Sequence, residues 1–188
     1  TFVDMFTDRD PRMAETIMYP GFINEGDNST LPTKIVLDYG GLGQIKFLPR
    51  TDATYGGWGE NITDLPIIRY AEILLINAEA KAELGILTQN DLNATVNLLR
   101  NRVEMPEMTM NVPIDPALEA LYPSVSGALK NVILEIRRER RVELVFEGFR
   151  FDDLMRWKAG KLLEKEPEGL YFPGLGKYDL TGDGIEDI

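Results

Sequence analysis

Apolar positions follow two different rules along this chain. Up to residue 64 they come in short runs, TIMY (16–19), KIVLDY (34–39) and QIKFL (44–48), punctuated by Pro20-Gly21, Gly26-Asp27-Asn28 and Gly40-Gly41. Runs of that length between turn residues predict short strands or extended segments. The stretch TDATYGGWGEN (51–61) reads as a glycine-rich loop. From Leu65 the spacing becomes three and four. Ile67, Ala71, Leu74, Ala78 and Ala82, widened by Ile68 and Leu75, mark one face of a helix. Pro66 suits its first turn, where a missing N–H costs nothing, and Gly85 suits a left-handed stop.

A second helix follows at once. Thr88 caps it, Asp91 completes a loose capping box, and Leu92, Val96, Leu99 and Val103 form its apolar stripe up to Pro106. The pair makes a helical hairpin close to the ~34-residue tetratricopeptide period. Residues 104–124 carry four prolines and no period, which predicts a loop excursion. A long helix is expected from about Ser126 to Glu147, closed by Gly148. A shorter one is expected from about Phe151 to Leu163, with Phe151, Leu154, Met155, Lys158 and Leu162 along one side. The predicted class is mainly α: tetratricopeptide-like helical hairpins with a loop-rich, β-poor N-terminal third. Loops and short strands occupy 1–64, a helical scaffold 65–164 and a loop tail 165–188.

The stretch EIRRERRVELVFEGFRFDDLMRW (135–157) holds six arginines and six carboxylates. At about 100° per residue, Glu135, Glu139, Glu143 and Glu147 share one side of the helix, and Arg137, Arg138, Arg140 and Arg141 cover the other. Ile136, Val142, Leu144, Val145 and Phe146 fall all around it. A surface helix shows one apolar face, so this one is expected to be enclosed. Glutamates four apart repel by a few tenths of a kcal/mol per step and need arginines on adjacent elements to answer them. The stretch therefore predicts an ion-pair network between packed helices, in preference to a ligand-binding basic face or an acid/base site. Asp152 and Asp153 make no catalytic pair, because neighbouring helical side chains diverge. Trp157 reads as packing.

Composition narrows the chemistry. The 188 residues, 44% hydrophobic and 27% charged, suit one domain or a large piece of one. A formal charge of −11 argues against a nucleic-acid partner. The absence of Cys removes disulfides, thiolate nucleophiles and sulfur-bound zinc, and the absence of His removes a Ser-His-Asp triad and an imidazole base. No apolar run approaches the ~18 residues of a membrane span, and the first residues do not read as a signal peptide.

Four stretches, RDPRMAETIMYPG (9–21), LPIIRYAEILLINAEAKAELG (65–85), LNATVNLLRNRVEMP (92–106) and ILEIRRERRVELVFEGFRFDDLMRWK (133–158), carry a resemblance in their order and spacing. They resemble the SusD/RagB-like family, surface glycan-binding lipoproteins of Gram-negative outer membranes. The resemblance implies a non-catalytic protein that captures oligosaccharides, polysaccharides or other nutrients such as peptides beside a SusC-like TonB-dependent outer-membrane transporter. It implies a helical scaffold facing the transporter and loops that hold ligand. It also implies surface exposure on the cell outer membrane through an N-terminal lipid absent from this chain. Family members are usually more than twice as long, so the chain is expected to be a C-terminal part of one SusD-like domain. Two other readings stand beside this one: a helical-repeat adaptor binding a protein or peptide, and a carboxylate glycosidase. The glycosidase ranks last, because a retaining pair must sit ~5 Å apart and the residues display no such pair.

Sugar binding needs flat aromatic faces with amides and carboxylates beside them. Tyr55, Trp58, Glu60 and Asn61 supply that set in the glycine-rich loop and are the expected ligand-binding residues. The tail DLTGDGIED (179–187) places Asp179, Thr181 and Asp183 at positions 1, 3 and 5 of a calcium loop. Gly184 takes the turn position, Ile185 offers a carbonyl at 7 and Asp187 sits at 9. These make a candidate Ca²⁺ site, although the chain stops before position 12. No other cofactor is expected.

Overall fold

A computed structural model describes residues 3–24, 42–48, 64–166, 168, 171–180 and 184–186. The chain divides into two compact units, Thr1–Pro66 with Pro167–Ile188, and Ile67–Glu166.

In the first unit, 3-10 turns at Val3–Phe6 and Pro11–Met13 replace regular structure. Asp10 caps the second turn, accepting from the Arg12 amide at 3.0 Å. It also pairs with the Arg12 guanidinium, Nε to Oδ1 at 2.9 Å and Nη2 to Oδ2 at 2.6 Å. The runs at 16–19 and 44–48 meet in one isolated antiparallel bridge, Ile17 with Gln44, and form no named strand. Both segments turn close to the bridge. Thr16 bonds back to the Arg12 carbonyl at 2.5 Å, and Phe47 turns the other segment with φ 67°. The expected run at 34–39 lies outside the described residues. Leu180 is buried among Met5, Phe6, Leu42, Phe172 and Tyr178.

The second unit is helical: α1 (Tyr70–Glu83), α2 (Gln89–Asn93), α3 (Val96–Arg102), α4 (Pro116–Leu121), α5 (Lys130–Glu143) and α6 (Arg150–Arg156), with a 3-10 turn at Gly160–Glu164. Its core joins Leu74, Leu75 and Ala78 of α1 to Leu92, Val96 and Leu99 of α2 and α3, and to Val132, Ile133 and Ile136 of α5. The first hairpin ends and restarts as its sequence predicts. Gly85 adopts φ 70°, while its amide bonds to Ala82 O and that of Ile86 to Lys81 O, both at 3.0 Å, closing a Schellman cap. Thr88 and Asp91 form a complete capping box.

Several boundaries differ from the sequence reading. Pro66 lies ahead of α1 and not in its first turn. Leu65, Ile67 and Ile68 are 70%, 92% and 67% exposed, so no core holds them in a helix, and the apolar stripe begins at Ala71. The second helix breaks into α2 and α3 at Thr95, whose φ of −132° and ψ of −91° leave the helical region. Its hydroxyl donates to Asp91 O at 2.6 Å, the back-bonding by which Thr competes with the helix ladder. The proline-rich excursion contains α4, started by Asp115 as cap and Pro116 at the first helical position. Two amide side chains tie the excursion down: Asn97 Oδ1 accepts from Met108 N at 2.7 Å, and Gln89 Oε1 accepts from Met110 N at 3.0 Å. The long helix is shorter at both ends than expected, because Gly127 (φ 90°) turns the chain before it and Phe146 (φ 64°) and Gly148 (φ 85°) turn it afterwards. The shorter helix stops at Arg156 and leaves Phe151 and Met155 59% and 43% exposed, so only part of its expected stripe is core.

Candidate functional site

The charge-dense stretch folds as α5 and α6, and its carboxylates are answered one by one. Arg100 of α3 donates from Nη2 to Glu135 at 2.6 Å and from Nε to Glu139 at 2.9 Å. Arg102 reaches Glu143 at 2.7 Å. Arg69, at the start of α1, reaches Glu143 at 3.1 Å and grips Glu147 with two bonds of 2.8 Å. The whole i, i+4 glutamate ladder therefore faces guanidinium groups from two other elements. Glu147's hydrogen bond, ahead of Glu143's and in spite of partial desolvation, holds the Arg69 pKa above its ordinary value.

The arginine side of α5 is equally occupied over most of its length. Arg140 donates Nε to both oxygens of Asp153, at 2.9 and 2.8 Å, with both side chains buried. Arg138 pairs with Asp115 of the α4 cap. Arg137 lies 5.3 Å from the Tyr122 ring and 4.7 Å from the Trp157 ring, with Glu83 at 3.2 Å. Trp157 itself is 5% exposed, and its indole N–H donates to Glu79 at 2.5 Å. Glu79 also receives Arg156, at 2.5 and 2.6 Å. Burial lowers the Arg156 pKa, but Glu79 and then Asp153 outweigh it and leave the pKa raised. Asp152 is exposed and Asp153 is spent on arginines, so the adjacent aspartates form no acid/base couple. The expected scaffold role of this block and the packing role of Trp157 both match the geometry.

Of the sequence-predicted ligand residues, Tyr55, Trp58, Glu60 and Asn61 lie outside the described residues, as do Thr181, Asp183 and Asp187 of the tail. Asp179 accepts from the Gly184 amide at 2.8 Å, and Gly184 takes φ 83°, so the turn glycine does turn the chain. Ile185 follows it, 67% exposed. Among the described residues no group of three or more acidic side chains could hold a metal ion. The first unit also contains a cleft of about 290 Å³ lined by Phe6, Arg9, Asp10 and Tyr19. Within it Arg9 Nε donates to Met5 O at 3.1 Å, and the Tyr19 ring packs edge-on against Phe22 with centroids 5.6 Å apart.

Residue-by-residue reading does not find the partners that organise the network: the donors Arg69 and Arg100 and the acceptor Glu79. A signal was present for Arg100, which stands four after Val96 and next to Leu99, on the buried stripe of α3. An arginine at a core position needs an acid opposite it.

Comparisons with known proteins give one consistent likeness. A model described as the SusD family matches residues 1–182. A SusD-like protein of Formosa agariphila is 37% identical over 101 residues, which is 54% of this chain and 18% of that protein. Among solved structures, a SusD-like protein from Bacteroides fragilis NCTC 9343 aligns with TM-score 0.63 and 29% identity, over 84% of this chain and 29% of that one. A second from the same organism, described as a SusD-like carbohydrate binding protein, aligns with TM-score 0.60 and 28% identity, over 87% and 32% respectively. The chain thus spans less than a third of each relative's length.

Proposed function

Because the chain belongs to the SusD family, we propose that it is part of a non-catalytic, surface glycan-binding component of an outer-membrane TonB-dependent nutrient uptake complex. The match over residues 1–182 carries this reading, together with the carbohydrate binding named for one of the similar solved structures. The geometry supports the non-catalytic part: the buried carboxylates of α5, α6 and α1 are committed to arginines and an indole, which leaves them as structural counter-ions. Among the described residues no helix is long and apolar enough to cross a membrane, and attachment through a lipid belongs to the same proposal, as does a SusC-like transporter partner.

Affinity electrophoresis against a polysaccharide panel tests the reading, with hydrolysis of the same panel followed in parallel. Retardation without turnover is the expected result; turnover would overturn it. Tyr55, Trp58, Glu60 and Asn61 are the proposed ligand contacts. Trp58→Ala is expected to weaken retardation while leaving thermal stability nearly unchanged. For the tail, Asp179 and Ile185 are proposed as Ca²⁺ ligands with Thr181, Asp183 and Asp187. Calorimetry without heat at roughly millimolar Ca²⁺, the weak end of calcium-loop affinities, would remove that assignment.

A further inference from the structure

At the C-terminal end of α5, residues 144–149 turn the chain into α6 around a cleft of about 420 Å³ lined by Arg140, Arg141, Arg150, Phe146, Phe149 and Asp153, among others. This volume lies at the lower end of the range of small-molecule sites, about 300–1,000 Å³. Three observations distinguish it from the rest of the ion-pair network.

First, Arg140 is 5% exposed and its Nη1 has no hydrogen-bond partner, although its Nε is bound to Asp153. A buried orphan donor calls for a water or a ligand acceptor. Arg137 also has orphan nitrogens, but both Tyr122 and Trp157 stack on its guanidinium. Arg140 has one ring against it, Phe149 at 5.4 Å, and borders open volume.

Second, no carboxylate pairs with Arg141 or Arg150 among the described residues; Arg150 gives one bond, of 3.1 Å, to the neutral Tyr122 hydroxyl. Acids outnumber bases 31 to 20 in this chain, so guanidinium groups left without acids beside one cleft run against the overall balance. The single lining acid, Asp153, is shared between Arg140 and Arg156. The end of α5 adds a partial negative charge of about half a unit, too little to cancel the arginines.

Third, Phe146 adopts φ 64°, a conformation that bulky residues avoid, and the residue lines the cleft while 45% exposed.

We propose that this cleft binds the carboxylate of an acidic sugar unit, a uronate, with its pyranose C–H face against Phe146. The inference rests on the glycan-binding reading and specifies the class of glycan. Planar guanidinium groups match a carboxylate bidentately, and a flat apolar ring suits the face of a pyranose. Arg141 and Phe146 are the specificity-determining contacts, and Arg140 adds its positive charge to the lining.

The test is an NMR or calorimetric titration of the 188-residue chain with D-glucuronate, D-glucose and acetate. D-Glucuronate is expected to saturate, and acetate and glucose to bind about tenfold more weakly, because each lacks one of the two contacts. Arg141→Gln and Phe146→Ala, both at exposed positions, are each expected to weaken glucuronate about tenfold with unchanged melting temperatures. The proposal fails if glucuronate does not saturate by roughly 50 mM, a limit far weaker than usual ligand affinities. It fails equally if acetate binds as well or if Arg141→Gln leaves affinity unchanged. Retardation by neutral polysaccharides without glucuronate binding would sink this inference alone. Glucuronate binding that depends on Arg141, with no polysaccharide retained, would sink the wider glycan reading and leave the cleft.

Discussion

α1 and α5 are each 14 residues long and pack against each other, but they use water in opposite ways. The apolar helix, α1, buries Ala71, Leu74, Leu75, Ala78, Glu79 and Ala82 and leaves Ile73 and Ile76 48% and 46% exposed. The charged helix, α5, buries Glu135, Arg137, Glu139, Arg140 and Glu143 along with Val132, Ile133, Leu134 and Ile136. Composition alone would assign the two helices the other way round. A charge tolerates burial when a partner of opposite sign holds it at hydrogen-bond distance, and α5 has such partners on α3, α6 and at the start of α1. An isoleucine stays at the surface when no neighbouring element covers it, because exposed apolar surface is ordinary in folded proteins.

The most severe way to break this contrast is to remove one partner. Arg100→Met leaves Glu135 and Glu139 without their interhelical cation. A loss of about 3–5 kcal/mol is expected in chemical denaturation, the cost of breaking a buried ion pair by removing one partner, even though Glu135 keeps Arg138 at 3.2 Å. Changing both acids to Leu in the same background should recover most of that loss; a triple variant as unstable as the single one would mean that shape, and not charge pairing, keeps α5 inside. Glu79→Gln is milder, about 1–2 kcal/mol. It keeps an acceptor for Trp157, and Arg156, 42% exposed, retains Asp153. Trp157 fluorescence should hold its native maximum in this variant.

At the hairpin turn the effects shrink further. Thr88→Ala removes the capping box and should cost about 1 kcal/mol. Lys81's hydrogen bond, then the Thr88 side chain and amide, hold the Asp91 carboxyl down at about 2 from its ordinary 3.8. A depressed acid stabilises the fold above its unfolded pKa and loses that contribution as pH falls through the folded value. Thermal melts should therefore show wild type more stable than Asp91→Asn at neutral pH, with the gap closing from near 3.8 down to 2. The smallest effect belongs to the outer face of α1, where Ile73→Lys or Ile76→Lys should stay within about 0.5 kcal/mol. A larger loss there would remove the contrast between the two helices.

Local chemistry was legible wherever its cause lies within a few residues. The Gly85 cap, the Thr88–Asp91 box and the stripe of Leu74, Leu75, Ala78 and Ala82 all appear as read. Asp115-Pro116 carried a helix start too, but the surrounding prolines masked it, and α4 was missed. Spacing overstated the lengths of both charged helices, since helical periodicity continues past Glu143, where α5 ends, and past Arg156, where α6 ends. The glutamate ladder's need for external arginines followed from like-charge repulsion within one helix. The arginines that meet that need did not follow from it.

By itself, then, the amino-acid order determined the helical class, the caps and the demand for compensation around residue 140, because each arises from backbone and side-chain interactions one or two turns long. Only tertiary structure decided that Arg100, 35 and 39 residues from its acids, and Arg69, 78 residues from Glu147, supply that compensation. It alone placed Glu79 under Trp157 and left Arg140 with a vacant N–H beside a cleft. Such pairings depend on how helices distant in sequence pack and cross, and no pattern within a single helix encodes that geometry.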